Sequence, residues 1–225
     1  MKQHKVLITL LQNHLDEVST PKTRQWWEKY MRQVIPFRGA GIPEIRQVLA
    51  QWRKESGIDT WPPNQQLEMA LELFTEPVAE DKLAGILFLQ EYLYDQFPWP
   101  DLLKKYETIY KQNLIFDWNT CDWFCVRVLG PTIRQHGVPC ARAISSWKKS
   151  KNLWQARSSV VAFVKVAKDS CYYPYIRDAA AVLILRPERF AKTGVGWILR
   201  DIPKYDKNFV DEFVEEFLPF FPGKA

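Results

Sequence analysis

Apolar residues recur along this chain at the three- and four-residue spacing of α-helices, and we identify no segment with the alternating pattern of a strand. The first such stripe contains Val6, Leu7, Leu10, Leu11 and Leu15. A similar stripe contains Leu67, Met69, Leu71 and Phe74. The pattern predicts an all-α fold.

Prolines and glycines interrupt this helical pattern at short intervals, where they start helices or end the preceding ones. The interruptions are Ser19-Thr20-Pro21, Gly39 to Pro43, Trp61-Pro62-Pro63, Phe97 to Pro100, Gly130-Pro131, Gly137 to Pro139, Arg186-Pro187-Glu188 and Pro203. Segments of roughly 12 to 18 residues lie between them, which is the length of ordinary helices. No linker divides the series. We therefore expect a single domain over residues 1–225, built as a right-handed-type superhelical array of antiparallel helix pairs.

Composition agrees with a folded, soluble protein. The chain has 225 residues, of which 47% are hydrophobic and 25% charged, and this excludes a largely disordered chain. The apolar run from Val6 to Leu11 is too short for a secretory signal, and no segment approaches the roughly 18 apolar residues of a membrane span. We expect a cytoplasmic protein without membrane contact.

The cysteines and histidines do not form a metal-binding pattern. Cys121, Cys125, Cys140 and Cys171 contain no C-x-x-C pair, and the chain has only three histidines, His4, His14 and His136, of which His136 alone lies near a cysteine. Cys121 and Cys125 are expected to be buried, reduced thiols. We predict neither a metal site nor a cofactor.

The net charge is +5, from 31 basic and 26 acidic residues. So small an excess is compatible with nucleic-acid binding and equally with an ordinary solvated surface. A basic run, Trp147 to Asn152, contains Lys148 and Lys151 and precedes a predicted helix. These two lysines are candidates for phosphate contacts, and the alternative is a solvated turn.

Five residues recur at intervals close to 36 residues, about the length of one helix-turn-helix repeat. They are Trp118 and Asp122, then Arg157, then Trp197 and Arg200. In a helical array, residues at this interval lie on one face. Each has a structural alternative: a tryptophan is usually in the core, and Asp122 alone could be a cap or salt-bridge partner, although Asp117 and Asn119 could equally cap that helix. The remaining tryptophans are expected to pack between helices; they are Trp26, Trp27, Trp52, Trp61, Trp99, Trp123, Trp147 and Trp154.

Several segments together resemble the AlkD-type DNA alkylation-repair glycosylases, whose fold is a HEAT-like α-solenoid. The segments are Lys29 to Arg32, Gly39, Pro43 to Arg46, Trp118 to Asp122, Trp154 to Arg157 and Gly196 to Arg200. They extend over about three quarters of the chain, and their order carries more weight than any one of them.

The resemblance implies roles for individual residues. Asp122 matches the catalytic carboxylate, and Trp118 and Trp197 match residues that pack against the damaged nucleotide. Arg157 and Arg200 match arginines near the phosphates at the lesion. The other implied or candidate DNA-binding residues are Tyr30, Lys148, Lys151 and Lys192. The sequence departs from the family at Gly41, where a glutamine is expected, and at Thr193, where a lysine is common.

The residue types suit the implied chemistry. A purine alkylated at N3 or N7 is cationic and leaves as a neutral base without a general acid, so one ionised carboxylate and an electron-rich cage suffice. The resemblance therefore implies a monomeric, monofunctional glycosylase that removes alkylated purines from duplex DNA. A non-catalytic protein binding DNA structures and a scaffold for protein partners are the alternatives.

Overall fold

The computed structural model describes residues 2–221, and it describes side chains from His4 onward. Within this range the chain contains helices and loops but no strand, so the all-α prediction is confirmed. The helices are α1 (Lys2–Glu17), α2 (Pro21–Tyr30), α3 (Ile42–Glu55), α4 (Pro63–Glu72), α5 (Ala79–Tyr92), α6 (Trp99–Lys111), α7 (Trp118–Phe124), α8 (Gly130–Ser145), α9 (Leu153–Val161), α10 (Tyr173–Ile184), α11 (Arg189–Asp201) and α12 (Lys207–Phe217).

The first compact unit extends to Pro98 and contains α1 to α5. Helix α3 packs against both α1 and α5, and α4 packs on α5. Leu11 of α1, Leu49 of α3 and Phe88 of α5 are fully buried in the core of this unit. A second unit begins at Trp99. The prediction of one continuous repeat domain stays a prediction.

In the second unit, alternate helices pack side by side. Helix α9 lies between α7 and α11, whereas α8 and α10 pack on each other, with α6 against α8 and α12 against α10. This arrangement explains the interval of about 36 residues, because one helix pair separates each member of a layer from the next. The candidate site residues of this unit lie on α7, α9 and α11, in one layer.

Local sequence signals fix most helix ends. The Thr20 hydroxyl accepts from the backbone N–H of Thr23 at the start of α2, and the Asn152 side chain accepts from two backbone N–H groups at the start of α9. One predicted interruption is wrong: Gly130 and Pro131 do not break the helix. A π-helical turn over Cys125–Leu129 leads directly into α8. Such a turn accommodates a proline, which has no N–H to donate.

The tryptophans are not equally buried. Trp52 and Trp147 lie in the core, as predicted. Trp26 is 57% exposed, so the prediction of a packing role is wrong for this residue. The reason lies in the helix that carries it, since α2 has no buried residue.

Candidate active site

Helices α7, α9 and α11 line one cavity of about 850 Å³. Six of the residues singled out in the sequence contribute to its wall: Trp118, Asp122, Arg157, Lys192, Trp197 and Arg200. The fold of this unit therefore brings together an acid, two indoles and several cations from positions up to 82 residues apart.

Helix α7 sets the positions of Trp118 and Asp122. The Asp117 carboxylate caps the helix, accepting from the backbone N–H of Thr120 at 2.8 Å and from its hydroxyl at 2.7 Å. Trp118 is therefore the first helical residue, and Asp122 lies about one turn further along the same face. The candidate cap Asp117 and the candidate catalytic residue Asp122 thus have different roles.

Asp122 is bound by Arg157 of the neighbouring helix α9. The Arg157 Nε donates to Oδ1 at 2.8 Å, and Nη2 donates to Oδ2 at 2.9 Å. The exposed fractions of the two side chains are 5% for Arg157 and 12% for Asp122. A bidentate pair of this kind fixes the carboxylate in both position and orientation.

Helix α11 holds the other end of this guanidinium. Nη1 of Arg157 donates to the Phe190 carbonyl at 2.6 Å and to the Thr193 hydroxyl at 3.0 Å. Gly194 allows the close approach, since a Cβ atom there would lie 3.2 Å from Nη1. Arg157 was predicted to contact phosphates, but the structure places it inside the wall of the cavity, with its donors directed at protein acceptors.

The Asp122–Arg157 pair controls the protonation of the carboxyl. Burial raises the pKa of Asp122, while the hydrogen bonds and charge of Arg157 act in the opposite direction and limit that rise. Burial lowers the pKa of Arg157, but the hydrogen bonds and charge of Asp122 outweigh this, so that pKa is raised. Arg157 therefore stays charged, and its charge favours the carboxylate form of Asp122.

The other predicted cations have different surroundings. Arg200 is exposed and lines the cavity, and Lys192 lines it as well, with Nζ donating to the Phe220 carbonyl at 3.0 Å. Lys148 is 8% exposed and forms an ion pair with Asp178. Lys151 is exposed. Neither of these two lysines contributes to the wall of the cavity.

Tyr30 belongs to the first unit, at the end of α2. It is 52% exposed, and its ring stacks on that of Trp26 with centroids 5.2 Å apart. Its predicted DNA contact stays a prediction.

Sequence reasoning did not identify two contributors from α11, Arg189 and Phe190. Arg189 is an exposed cation. The Phe190 carbonyl accepts the shorter of the two hydrogen bonds that Arg157 donates to α11. A signal existed for Arg189, because it precedes Thr193 by four residues and Trp197 by eight, the spacing of one helix face. Nothing in the sequence indicates a backbone acceptor such as the Phe190 carbonyl.

The sequence model of the DNA alkylation repair enzymes matches residues 11–219, which is most of the chain. The chain belongs to the DNA alkylation repair enzyme family. A solved structure described as a predicted DNA alkylation repair enzyme from Enterococcus faecalis is similar in fold, with a TM-score of 0.74 and 19% sequence identity. The similarity covers 88% of this chain and 89% of that one. No protein with curated annotation matches significantly.

Membership of the DNA alkylation repair family assigns the chain an enzymatic role in repair of alkylated DNA, and with it DNA binding. The resemblance read from the sequence is thereby confirmed at the level of the family. Between residues 2 and 221, no helix is both long and apolar enough to cross a membrane. The same residues contain no cluster of three or more histidine, cysteine or acidic side chains suited to a metal ion.

Proposed function

We propose that the protein is a monofunctional DNA glycosylase that hydrolyses the N-glycosidic bond of N3- or N7-alkylated purines in duplex DNA. The observation that carries this proposal is the Asp122 carboxylate, held by Arg157 in the wall of a cavity that Trp118 and Trp197 also line. A carboxylate fixed in this way is suited to stabilise a positive charge that develops next to it.

The reaction requires little more than such a carboxylate. The bonding electron pair between the base nitrogen and C1′ leaves with the cationic purine, which becomes neutral. Positive charge then develops on the sugar, and Asp122 stabilises it electrostatically. A water molecule forms the new bond to C1′ and loses a proton, and Asp122 orients that water and accepts the proton. Arg157 is a positioning residue, because it acts through Asp122.

Trp118 and Trp197 supply an electron-rich lining. An indole face attracts a cation by about 0.5 to 2 kcal/mol. Both the alkylated base before cleavage and the sugar during cleavage are cationic, so the two indoles favour the substrate and the transition state over an uncharged nucleotide. An uncharged purine does not attract the indoles as a cation before cleavage, and it does not leave as a neutral base without a general acid.

Cations at the cavity hold the DNA backbone. Arg200, Lys192 and Arg189 lie on α11 and line the cavity. We propose that they make sequence-independent contacts to phosphates. Tyr30 of the first unit and Lys151 of the second are exposed, and we propose that each contacts DNA. Lys148 contacts DNA only if its ion pair with Asp178 opens. We further propose that the protein acts as a monomer, on nucleoid DNA.

Release of base from methylated duplex DNA tests the proposal. The wild-type protein should release N3- and N7-methylpurines, and Asp122→Asn should reduce the single-turnover rate by at least about 100-fold. Asp101→Asn on α6 removes an exposed carboxylate of the same type, 60% exposed, and should leave the rate unchanged. Thermal unfolding and DNA binding of Asp122→Asn would show that this variant is folded.

Two outcomes would contradict the proposal. One is the absence of base release by the wild-type protein under conditions in which it binds the duplex, which would favour a non-catalytic DNA-binding protein. The other is full activity of Asp122→Asn, which would remove the carboxylate from the mechanism.

A further inference from the structure

Helix α2, in the first unit, carries an exposed aromatic pair. Trp26 and Tyr30 are four residues apart on this helix, with 57% and 52% of their surface exposed. Their ring centroids lie 5.2 Å apart with an angle of 16° between the planes, so the rings are stacked. Large exposed aromatic side chains in a stacked arrangement are typical of interaction surfaces.

A different tryptophan anchors this helix to the first unit. The Trp27 ring stacks on that of the buried Phe37, with centroids 5.3 Å apart and an angle of 5°. Gly39 lies against the start of α2, where a Cβ atom would be 2.4 Å from the Thr20 carbonyl oxygen. The attachment of α2 thus depends on Trp27 and Gly39. Burial of Trp26 is not required for it.

The surroundings of the aromatic pair are positively charged. Lys22 and Lys29 lie about one turn from Trp26 in either direction, both are exposed, and neither forms an ion pair with a residue that the structure describes. The acid on α2, Glu28, is paired with Arg24 at 2.8 Å. Lys22, Trp26 and Lys29 also line a shallow cavity of about 540 Å³.

We infer that this surface of α2 binds an unpaired nucleobase of DNA, which stacks on the Trp26–Tyr30 pair while Lys22 and Lys29 contact the flanking phosphates. Aromatic stacking beside free cations is the chemistry by which proteins hold single-stranded nucleic acid. In a fully paired duplex the faces of the bases are covered by their neighbours, so the surface selects single-stranded or locally distorted DNA. DNA is the nucleic acid on which the family acts.

The inference extends beyond the proposed glycosylase, because it concerns a second contact with DNA that makes no use of Asp122. The loss of single-strand affinity caused by Trp26→Ala should therefore be the same in the Asp122→Asn background as in the wild-type protein. A failure of the glycosylase proposal would leave this result unchanged, and the two proposals can be judged separately.

Fluorescence anisotropy with a labelled 15-nucleotide thymidine strand and a fully paired duplex tests the inference. Trp26→Ala should weaken binding of the single strand by about fivefold or more and leave duplex binding within twofold. Trp26→Phe should restore most of the affinity. Tyr30→Ala should weaken binding of the single strand to a similar extent, whereas Tyr205→Ala, which removes an aromatic side chain that is 57% exposed on another segment, should have no effect on it. Replacing Lys22 and Lys29 by glutamine should lower the slope of log affinity for the single strand against log salt by about 1.4.

Three results would overturn the inference. Unchanged binding of the single strand by Trp26→Ala would show that no base stacks on the Trp26–Tyr30 pair. An equal loss on the single strand and the duplex, in a variant whose unfolding curve matches the wild type, would show a general contact with no selection for unpaired bases. Binding to phosphatidylserine vesicles that Trp26→Ala abolishes, without an effect on the single strand, would identify the partner as an anionic membrane surface.

Discussion

Arg157 binds both carboxylate oxygens of Asp122, at 2.8 and 2.9 Å, although the two residues lie 35 positions apart on neighbouring helices. The same guanidinium also donates to the Phe190 carbonyl and the Thr193 hydroxyl of α11. One side chain thereby joins three helices at the point where the proposed chemistry takes place. Several expectations depend on this arrangement.

Replacing Arg157 should move the acid limb of the activity profile. The charge of Arg157 opposes the rise in the pKa of Asp122 that burial causes, so Arg157→Gln should raise that pKa further. Activity requires the carboxylate, and it should therefore be lost at a higher pH than in the wild type. The measurement is kcat/KM for base release against pH. Arg200→Gln, in the same cavity, should change KM but leave the acid limb in place. An identical limb in Arg157→Gln would refute the positioning role.

Arg157→Gln should also destabilise the protein. Removal of one partner from a buried ion pair leaves the other charge without compensation, at a cost of about 3 to 5 kcal/mol. Urea unfolding at neutral pH would measure it. Arg157→Lys keeps the charge but not the two parallel hydrogen bonds, and it should lose less unfolding free energy than Arg157→Gln.

Thr193 should contribute modestly to catalysis through Arg157. Its hydroxyl accepts from Arg157 Nη1 at 3.0 Å, and Thr193→Val removes this acceptor while keeping the shape of the side chain. A single hydrogen bond corresponds to about 1 kcal/mol, so kcat should fall about fivefold at nearly constant KM. Thr193→Ser should restore kcat. A loss of kcat in Thr193→Ser together with an unchanged kcat in Thr193→Val would show that the methyl group, and not the hydroxyl, matters.

Two glycines of α11 should respond differently to substitution by alanine. At Gly194 a Cβ atom would lie 3.2 Å from Arg157 Nη1 and 3.4 Å from Val160 Cγ2, whereas at Gly196 it would have no neighbour within 4 Å. Both gain about 1 kcal/mol of helix propensity, but only Gly194→Ala crowds a packed interface, at about 1 to 3 kcal/mol. Denaturant unfolding should show Gly196→Ala to be the more stable by at least about 1 kcal/mol. The reverse order would contradict this packing.

Lys148 and Lys151 should differ in their effect on DNA binding. Lys151 is exposed, and Lys151→Gln should lower the slope of log affinity against log salt by about 0.9. The charge of Lys148 is already compensated by Asp178, so Lys148→Gln should leave the slope unchanged. Binding titrations of one duplex at several salt concentrations would decide. A reduced slope for Lys148→Gln would mean that its ion pair opens when DNA binds.

Asp81, in the first unit, should make stability depend on pH. Burial raises its pKa to about 6 despite the ion pair with Arg38, and its Oδ1 has no hydrogen-bond partner among the described residues. Because the folded-state pKa lies above the unfolded value near 3.9, the stabilisation is present below about pH 4 and is lost as the pH rises through 6. Relative to the wild type, Asp81→Asn should gain about 2 kcal/mol of unfolding free energy between pH 4 and pH 7.

Asp16→Asn is the matched control for Asp81. Asp16 pairs with the same arginine at 3.0 Å but is 63% exposed. The difference in unfolding free energy between Asp16→Asn and the wild type should vary by less than about 0.5 kcal/mol over the same pH range. A flat difference for Asp81→Asn would show that its carboxyl is hydrated in the folded protein.

Local signals explain how much of the fold could be predicted. The starts of α2, α4, α6 and α11 follow from prolines and capping residues that act within one helical turn, and the cap at Asp117 was among the expected alternatives. The continuous helix through Gly130 and Pro131 was missed. Pro131 does not end the helix because a π-helical turn precedes it. The neighbouring helices support that turn, and no short sequence motif predicts it.

The sequence by itself determined the all-α fold, the spacing that puts Trp118, Asp122 and Trp197 in one layer, and the family. These follow from periodicity and from the order of motifs, which are properties of the chain read in one dimension. Only the tertiary structure decided that Arg157 faces Asp122 and not open solvent, that Lys148 is paired, and that Trp26 is exposed. Partners for a charged or aromatic side chain come from other helices, and their distances depend on packing that no local pattern encodes.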